Sequence, residues 1–306
     1  MEKEEIKQEI SSQQPQQQNT GQNSQDKNDL TSQICSTPQQ SEQELVINVE
    51  EILRQLQILP IRPLGFGSFG IVYLVYDLEY GIVAAKISIK NKTIQREWEA
   101  AVNIQKKIKS CPFILKYLKQ LDGDNCSILL MEYASLKTLD IIAKYPQIPL
   151  PISTLRALMK QILEGMRIFH EAGFIHRDIK CDNILLHSPP NTGLVHAKIS
   201  DLGFAKEEDQ TNEQTYLAGT LPYMAIELFN KPRIVTQKVD IYALGITFYQ
   251  LITHCYPVNE ESLEDQKIKL VRLKMIRRHS EIKNDLLWDI LSKMLEQILK
   301  FITTVI

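Results

Sequence analysis

The eight residues His176-Arg177-Asp178-Ile179-Lys180-Cys181-Asp182-Asn183 constrain this chain more than any other stretch. They supply a candidate base (Asp178), a cation able to reach a phosphate (Lys180) and an amide able to ligate a metal (Asn183). A second carboxylate, Asp201, follows in Asp201-Leu202-Gly203, and a glycine-rich turn and a lysine lie upstream. The chain must fold so that these distant groups converge on one cleft. Phosphoryl transfer from a nucleotide uses such a set, because its transition state spreads negative charge over three oxygens and catalysis is mostly positioning plus cationic stabilisation. Asp178 would accept the hydrogen bond of an attacking hydroxyl, and Lys180 would reach the transferred phosphate. Asn183 and Asp201 offer a neutral and an anionic oxygen to Mg²⁺, which favours one or two carboxylates plus substrate phosphates.

Upstream, Leu64-Gly65-Phe66-Gly67-Ser68-Phe69-Gly70-Ile71-Val72 reads GxGxxGxV. Glycines let the backbone approach phosphates closely, because no Cβ intrudes and positive φ costs little. A similar spacing opens dinucleotide-binding folds, but there a helix follows the glycines. Here the strand-like run Ile71-Val72-Tyr73-Leu74-Val75 follows, which disfavours that reading. Lys86 ends Val83-Ala84-Ala85-Lys86, a lysine inside an apolar strand. It suits a contact to the α and β phosphates, oriented by a helix carboxylate. Glu97 and Glu99 compete for that partnership. Glu97 shares a helical face with Ala101, Ile104 and Ile108, whereas Glu99 aligns with Asn103 and Lys106, and the phase favours Glu97.

The organisation along the chain suits two unequal lobes. Residues 1–43 are dominated by Gln, Ser, Asn and Glu, too polar to offset ordering entropy, and are expected to be a disordered tail open to a partner. Residues 44–58 carry apolar side chains at helical spacing. Strands are expected at 61–65, 71–76, 81–89, 114–118 and 127–133, with a turn at Asp122-Gly123-Asp124-Asn125 between the last two. Helices are expected over 94–109, 151–172, 238–253 and 284–300. Strands first and helices later predict an α+β protein.

The 306 residues and net charge of −2 suit a globular protein of one or two domains and give no reason to expect nucleic acid as a partner. The N-terminus, MEKEEIKQEI, is too charged for a secretory signal, and the longest apolar run, 241–253, is too short for a membrane span. Five scattered cysteines without a CxxC pair fit a reducing compartment, and a cytoplasmic location is expected.

Taken in order, GxGxxGxV, the strand lysine, HRDxKxxN and DxG make this chain resemble the eukaryotic protein kinases, serine/threonine type, from about Ile58 to about Leu295. The resemblance implies a bilobal fold binding ATP and Mg²⁺, with a small β-rich N-lobe over about 58–131, a hinge at 132–135 and a helical C-lobe over about 136–306. By the same resemblance Lys86 and Glu97 form the ion pair that positions ATP. Leu64, Gly65, Phe66, Gly67, Ser68, Phe69, Gly70, Ile71 and Val72 cover its phosphates. Val72 and Ala84 lie above the adenine and Leu185 below it; Met131 is the gatekeeper, and the backbones of Glu132 and Ala134 bond the base. Lys180 and the Gly219-Thr220 step imply Ser/Thr hydroxyls of protein substrates and argue against a small-molecule kinase of related fold. Arg177 implies an activation-loop phosphate, with Thr211, Thr215 and Tyr216 as candidates.

Four departures stand out. Leu202 replaces the usual phenylalanine, and Leu221-Pro222 is transposed relative to the common order. Ala225-Ile226-Glu227 lacks its proline, and no arginine for Glu227 follows Leu295. The last helix of the large lobe is therefore expected to be missing or replaced, which keeps open a catalytically weak binding or scaffold protein of the same fold.

Overall fold

The computed structural model describes residues 49–67, 70–89, 92–108, 110–123, 126–147, 150–208, 213–214, 218–229, 233–273 and 275–296. The Gln-rich tail, Ser68, Phe69, Thr211, Thr215, Tyr216 and the C-terminal residues 297–306 lie outside them.

A short helix, α1 (49–55), leads into a five-stranded antiparallel sheet. The strands are β1 (Leu59–Gly67), β2 (Gly70–Asp77), β3 (Gly81–Ile89), β4 (Tyr117–Asp122) and β5 (Cys126–Glu132), in spatial order β1-β2-β3-β5-β4. Helix α2 (Lys92–Lys107) fills the crossover between β3 and β4. Tyr73 and Val75 of β2 alternate with the exposed Tyr76 and are completely buried, as period-two side chains of a one-sided sheet should be. Ile94, Glu97, Ala101 and Ile104 line the buried face of α2 at steps of three and four.

The second lobe begins with α3 (Asp140–Ala143) and α4 (Ile152–Glu171). Leu155, Leu158, Met159, Ile162, Met166 and Phe169 form the buried stripe of α4. Two small antiparallel pairs follow: β6 (Phe174–Ile175) pairs with β9 (Lys206–Glu207), and between them in the chain β7 (Ile184–His187) forms a hairpin with β8 (His196–Ile199). Helices α5 (Lys238–Thr253), α6 (Leu263–Arg272) and α7 (Asp285–Glu296) complete the lobe. Nearly every side chain of α5 is buried, as in a helix apolar all round, and fully burying each Leu, Ile or Phe contributes about 1.5–3 kcal/mol. Ser262 caps α6 by accepting the Asp265 N–H at 3.0 Å. Among the described residues, no helix is long and apolar enough to cross a membrane.

The expected strand at 114–118 needs correction. The strand runs from Tyr117 to Asp122, and Ile114 is instead a bridge partner of Ile199 in β8 of the other lobe, bonded through its neighbours Phe113 and Leu115. Ile199 N–H donates to Phe113 O at 2.9 Å, and Leu115 N–H donates to Ile199 O at 2.8 Å. An apolar run that reads as sheet is here a strap between lobes.

Gly70 opens β2 with φ +128°, and a Cβ there would lie 2.0 Å from the Ile87 carbonyl oxygen. At Gly65 a Cβ would meet nothing within 4 Å. Gly70→Ala is therefore expected to cost about 2–4 kcal/mol in chemical denaturation, from backbone strain plus overlap, while Gly65→Ala stays within about 0.5 kcal/mol of wild type.

Candidate active site

The β7–β8 hairpin explains why residues far apart in sequence meet. Ile184 pairs with Ile199, so the residues just outside, Asn183 and Ser200, are neighbours, and Ser200 N–H donates to Asn183 O at 2.9 Å. The segment 176–183 enters one strand and Asp201 leaves the other at the same end of the hairpin.

Asp240, completely buried at the start of α5, fixes the loop before the hairpin. Its Oδ2 accepts the His176 N–H and its Oδ1 the Arg177 N–H, each at 2.8 Å. His170 Nε2 lies 2.8 Å from Oδ2. Arg177 has φ 68°, a left-handed conformation that costs a non-glycine residue about 1–2 kcal/mol and that these charge-assisted bonds offset.

Asp178 is then surrounded by donors. Thr220 Oγ1 donates to its Oδ1 at 2.8 Å, Asn183 Nδ2 donates to its Oδ2 at 2.9 Å, and Lys180 Nζ is 3.0 Å from Oδ2. Lys180 also donates to Thr220 Oγ1 at 2.8 Å. Asn183 Nδ2 has a second acceptor in Asp178 O at 2.8 Å. Two acceptors on that side identify the nitrogen, and the other end of the amide, Oδ1, has no hydrogen-bond partner among the described residues.

From the sheet, Lys86 donates to Glu97 Oε2 at 2.7 Å and to Asp201 Oδ1 at 3.4 Å. The structure thus pairs the strand lysine with Glu97; Glu99 is exposed and accepts from Gln95 at 2.8 Å. Burial pushes the Glu97 carboxyl up from its ordinary range, opposed by the Lys86 ammonium. Burial alone would lower the Lys86 pKa, but Glu97 and Asp201 outweigh it and the pKa is raised. Asp201 Oδ2 has no partner among the described residues. It and Asn183 Oδ1 are hard oxygen donors of the kind a magnesium ion takes alongside substrate phosphates.

The other predicted residues line the neighbouring part of the sheet and hinge. Val72 stands opposite Gly65 and Lys86, and Ala84 opposite Met131. Leu64, Val72 and Leu185 are half-buried, while Ile71, Ala84 and Met131 are buried. Gly67 and Gly70 face each other across the β1–β2 hairpin, and Phe66 is exposed. Ala134 N–H and C=O have no partner among the described residues, as suits a backbone edge open to a base. Glu132 contributes more than its backbone: its carboxylate accepts the Lys116 N–H at 2.7 Å and pairs with the buried Lys198 of β8 at 3.1 Å, a tie between the lobes that sequence spacing did not reveal.

This two-lobed architecture, with Lys86–Glu97 in one lobe meeting Asp178, Asn183 and Asp201 in the other, coincides with a match of the protein kinase domain family to residues 59–306. The chain belongs to the protein kinase family. It is 32% identical over 223 residues to mitogen-activated protein kinase kinase kinase 15 of Mus musculus, covering 72% of this chain and 16% of that protein. It is also 32% identical over 200 residues to inhibitor of nuclear factor kappa-B kinase subunit alpha of Danio rerio, covering 61% of this chain and 26% of the relative. The chain thus spans about a quarter or less of the length of these curated relatives.

Within this kinase domain Leu202 is buried where phenylalanine is usual, so the swap keeps an apolar side chain in the core. Gly219 adopts φ 112°, and a Cβ there would lie 2.7 Å from Arg177 O, so only glycine lets the Thr220 segment approach the 176–183 loop this closely. Glu227 is half-buried, and burial raises its carboxyl pKa. No cation pairs with it among the described residues, and the nearby buried Tyr242 hydroxyl has no hydrogen-bond partner. The activation-loop candidates of the sequence reading, Thr211, Thr215 and Tyr216, lie outside the described residues.

Sequence reasoning missed Tyr117. Its hydroxyl donates to Glu97 Oε1 at 2.8 Å and accepts the Asp201 N–H at 3.1 Å. A tyrosine in an apolar run reads as core packing, and no spacing rule marks its hydroxyl.

Proposed function

We propose that this kinase domain transfers the γ-phosphate of ATP to serine or threonine hydroxyls of protein substrates, with Mg²⁺ as cofactor. The observation that carries the reading is the convergence of Lys86–Glu97, Asp178–Lys180–Thr220, Asn183 and Asp201 on one interlobe site. Asp178 orients the acceptor hydroxyl and accepts its hydrogen bond. Lys180, held against Asp178 and Thr220, presents its ammonium to the transferred phosphate. Lys86, oriented by Glu97, holds the α and β phosphates, and the glycine-rich turn covers them. Asn183 Oδ1 and the Asp201 carboxylate would hold the metal, which when bound neutralises phosphate charge. Val72, Ala84 and Leu185 enclose the adenine, Met131 bounds it, and the Glu132 and Ala134 backbones bond it. The Lys180–Thr220 contact supports a Ser/Thr acceptor. Family rates are on the order of 1–100 s⁻¹. A cytoplasmic location and a partner-binding role for residues 1–43 belong to the same proposal.

Among the described residues Glu227 has no cation and the Tyr242 hydroxyl no partner, which favours one second reading, a kinase-fold scaffold with weak catalysis. A half-buried carboxylate lacking its counter-ion weakens the lobe that carries the catalytic loop. Thermal shift beside a phosphotransfer assay on a generic basic protein separates the two. Mg·ATP at 100 times its Kd should stabilise the domain by about 2.7 kcal/mol. Transfer to Ser/Thr should accompany it, and Asp201→Ala should abolish both. Stabilisation without transfer would establish the scaffold, and transfer to sugars but not peptides would establish a small-molecule kinase.

A further inference from the structure

Four groups from four segments form a closed polar circuit. Lys86 of β3 donates to Glu97 of α2 at 2.7 Å, and Tyr117 at the start of β4 donates to the other Glu97 oxygen at 2.8 Å. The Asp201 N–H donates to the Tyr117 hydroxyl at 3.1 Å, and Asp201 Oδ1 returns to Lys86 at 3.4 Å. Lys86–Glu97 and Lys86–Asp201 belong to the nucleotide site already described. The two bonds of the Tyr117 hydroxyl do not, and among the described residues they are the hydrogen bonds that join the helix glutamate to the Asp201 backbone.

Two features make this hydroxyl more than a satisfied core group. First, Tyr117 grips α2 twice: its own N–H donates to Gln105 Oε1 at 3.0 Å, and Gln105 lies eight residues beyond Glu97 on the same helix. The ring is therefore tied to α2 rather than merely packed near it. Second, Asp201 has φ 62°, a left-handed backbone in a residue with a Cβ, and the Tyr117 hydroxyl holds the N–H of that very residue.

We propose that Tyr117 is a positioning residue whose hydroxyl couples the placement of α2 to the backbone conformation of Asp201, so that the lysine–glutamate pair and the metal-ligating carboxylate assemble as one unit. Either half can rotate away only by breaking the bond through this oxygen. Without it Lys86 still bridges the two halves, but their coupling weakens and the fraction of molecules with both in place falls. Apparent nucleotide affinity falls by the same factor, because binding must then supply the missing order. The inference rests on the kinase reading above.

Tyr117→Phe keeps the ring and removes only the hydroxyl. The expected result is Mg·ATP binding weakened about tenfold, with kcat at saturating nucleotide within about threefold of wild type. In the nucleotide-free variant, amide exchange over 201–204 and over α2 should quicken together. Gln105→Ala, which cuts the other grip on α2 and leaves the circuit closed, should change Mg·ATP affinity less than twofold. A Tyr117→Phe variant with a lower Tm but unchanged affinity and unchanged exchange over 201–204 would reduce the residue to a packing role and overturn the proposal. Tighter nucleotide binding would overturn it equally. In the wild-type chain Mg·ATP should protect α2 and 201–204 to the same extent, and protection of one without the other also counts against coupling. Should wild type bind no nucleotide, the kinase reading fails, yet exchange in the nucleotide-free pair still decides the role of Tyr117.

Discussion

Asp178→Asn is expected to lower the maximal phosphotransfer rate by about 10²–10⁴-fold while leaving nucleotide affinity nearly unchanged. The side chain is isosteric, and its surroundings accommodate an amide. The carbonyl oxygen can keep the position of Oδ2, where Asn183 and Lys180 donate. The new NH₂ then faces Thr220 Oγ1, a hydroxyl able to reverse from donor to acceptor. The fold should therefore lose no more than about 1 kcal/mol, a typical value for one exchanged hydrogen bond. What is lost is the negative charge of the carboxylate that Lys180 and Thr220 both contact, and with it the group that orients an acceptor hydroxyl. Steady-state transfer at saturating ATP, read beside direct nucleotide binding, checks this. A rate within tenfold of wild type would remove Asp178 from the chemistry.

Lys86→Met should fail in two separable ways. Glu97 is 1% exposed, and without its ammonium it becomes a buried carboxylate supported only by the Tyr117 hydroxyl. Breaking one side of a buried ion pair costs about 3–5 kcal/mol. Transfer should also fall by about 10²–10³-fold through loss of a phosphate-directed cation. The double variant Lys86→Met/Glu97→Gln removes the orphaned charge, so its stability should return to within about 1–2 kcal/mol of wild type while transfer stays low. The pH dependence carries a definite sign. Burial already raises the Glu97 pKa, and loss of Lys86 raises it further. The folded single variant then holds a proton that the unfolded chain releases at the ordinary glutamate pKa, so its stability falls as pH rises above that range. The deficit relative to wild type should widen with pH, and urea titrations at several pH values would reveal it. A double variant as unstable as the single one would mean that Glu97 carries no uncompensated charge.

Much of the fold was legible because periodicity reports burial. Strand β3 and helix α5 occupy the residues expected of them, 81–89 and 238–253, since an apolar run between turn residues and a long apolar helix each have few alternatives. Helical phase alone chose Glu97 over Glu99, and the buried ion pair and the exposed Glu99 follow that phase. Where periodicity was ambiguous, tertiary pairing decided. Ile114 and Leu115 are as apolar as strand residues, yet the backbone bonds of Phe113 and Leu115 on either side of Ile114 go to Ile199 across the lobes, and β4 begins only at Tyr117. The helix expected over 284–300 is described over 285–296, and residues 297–306, where a counter-ion for Glu227 was sought, lie beyond it.

The order and spacing of HRDxKxxN, DxG, the glycine turn and the strand lysine by themselves determined the family and the groups that would meet, because few chemistries require those residue types in that sequence. Only the tertiary structure decided which lone pairs are spent and which stay open. Asn183 turns its nitrogen to Asp178 and leaves Oδ1 without a partner among the described residues, Glu132 reaches Lys198, and one tyrosine oxygen joins α2 to Asp201. A hydrogen bond depends on distance and direction between atoms far apart along the chain, and residue spacing carries no record of either.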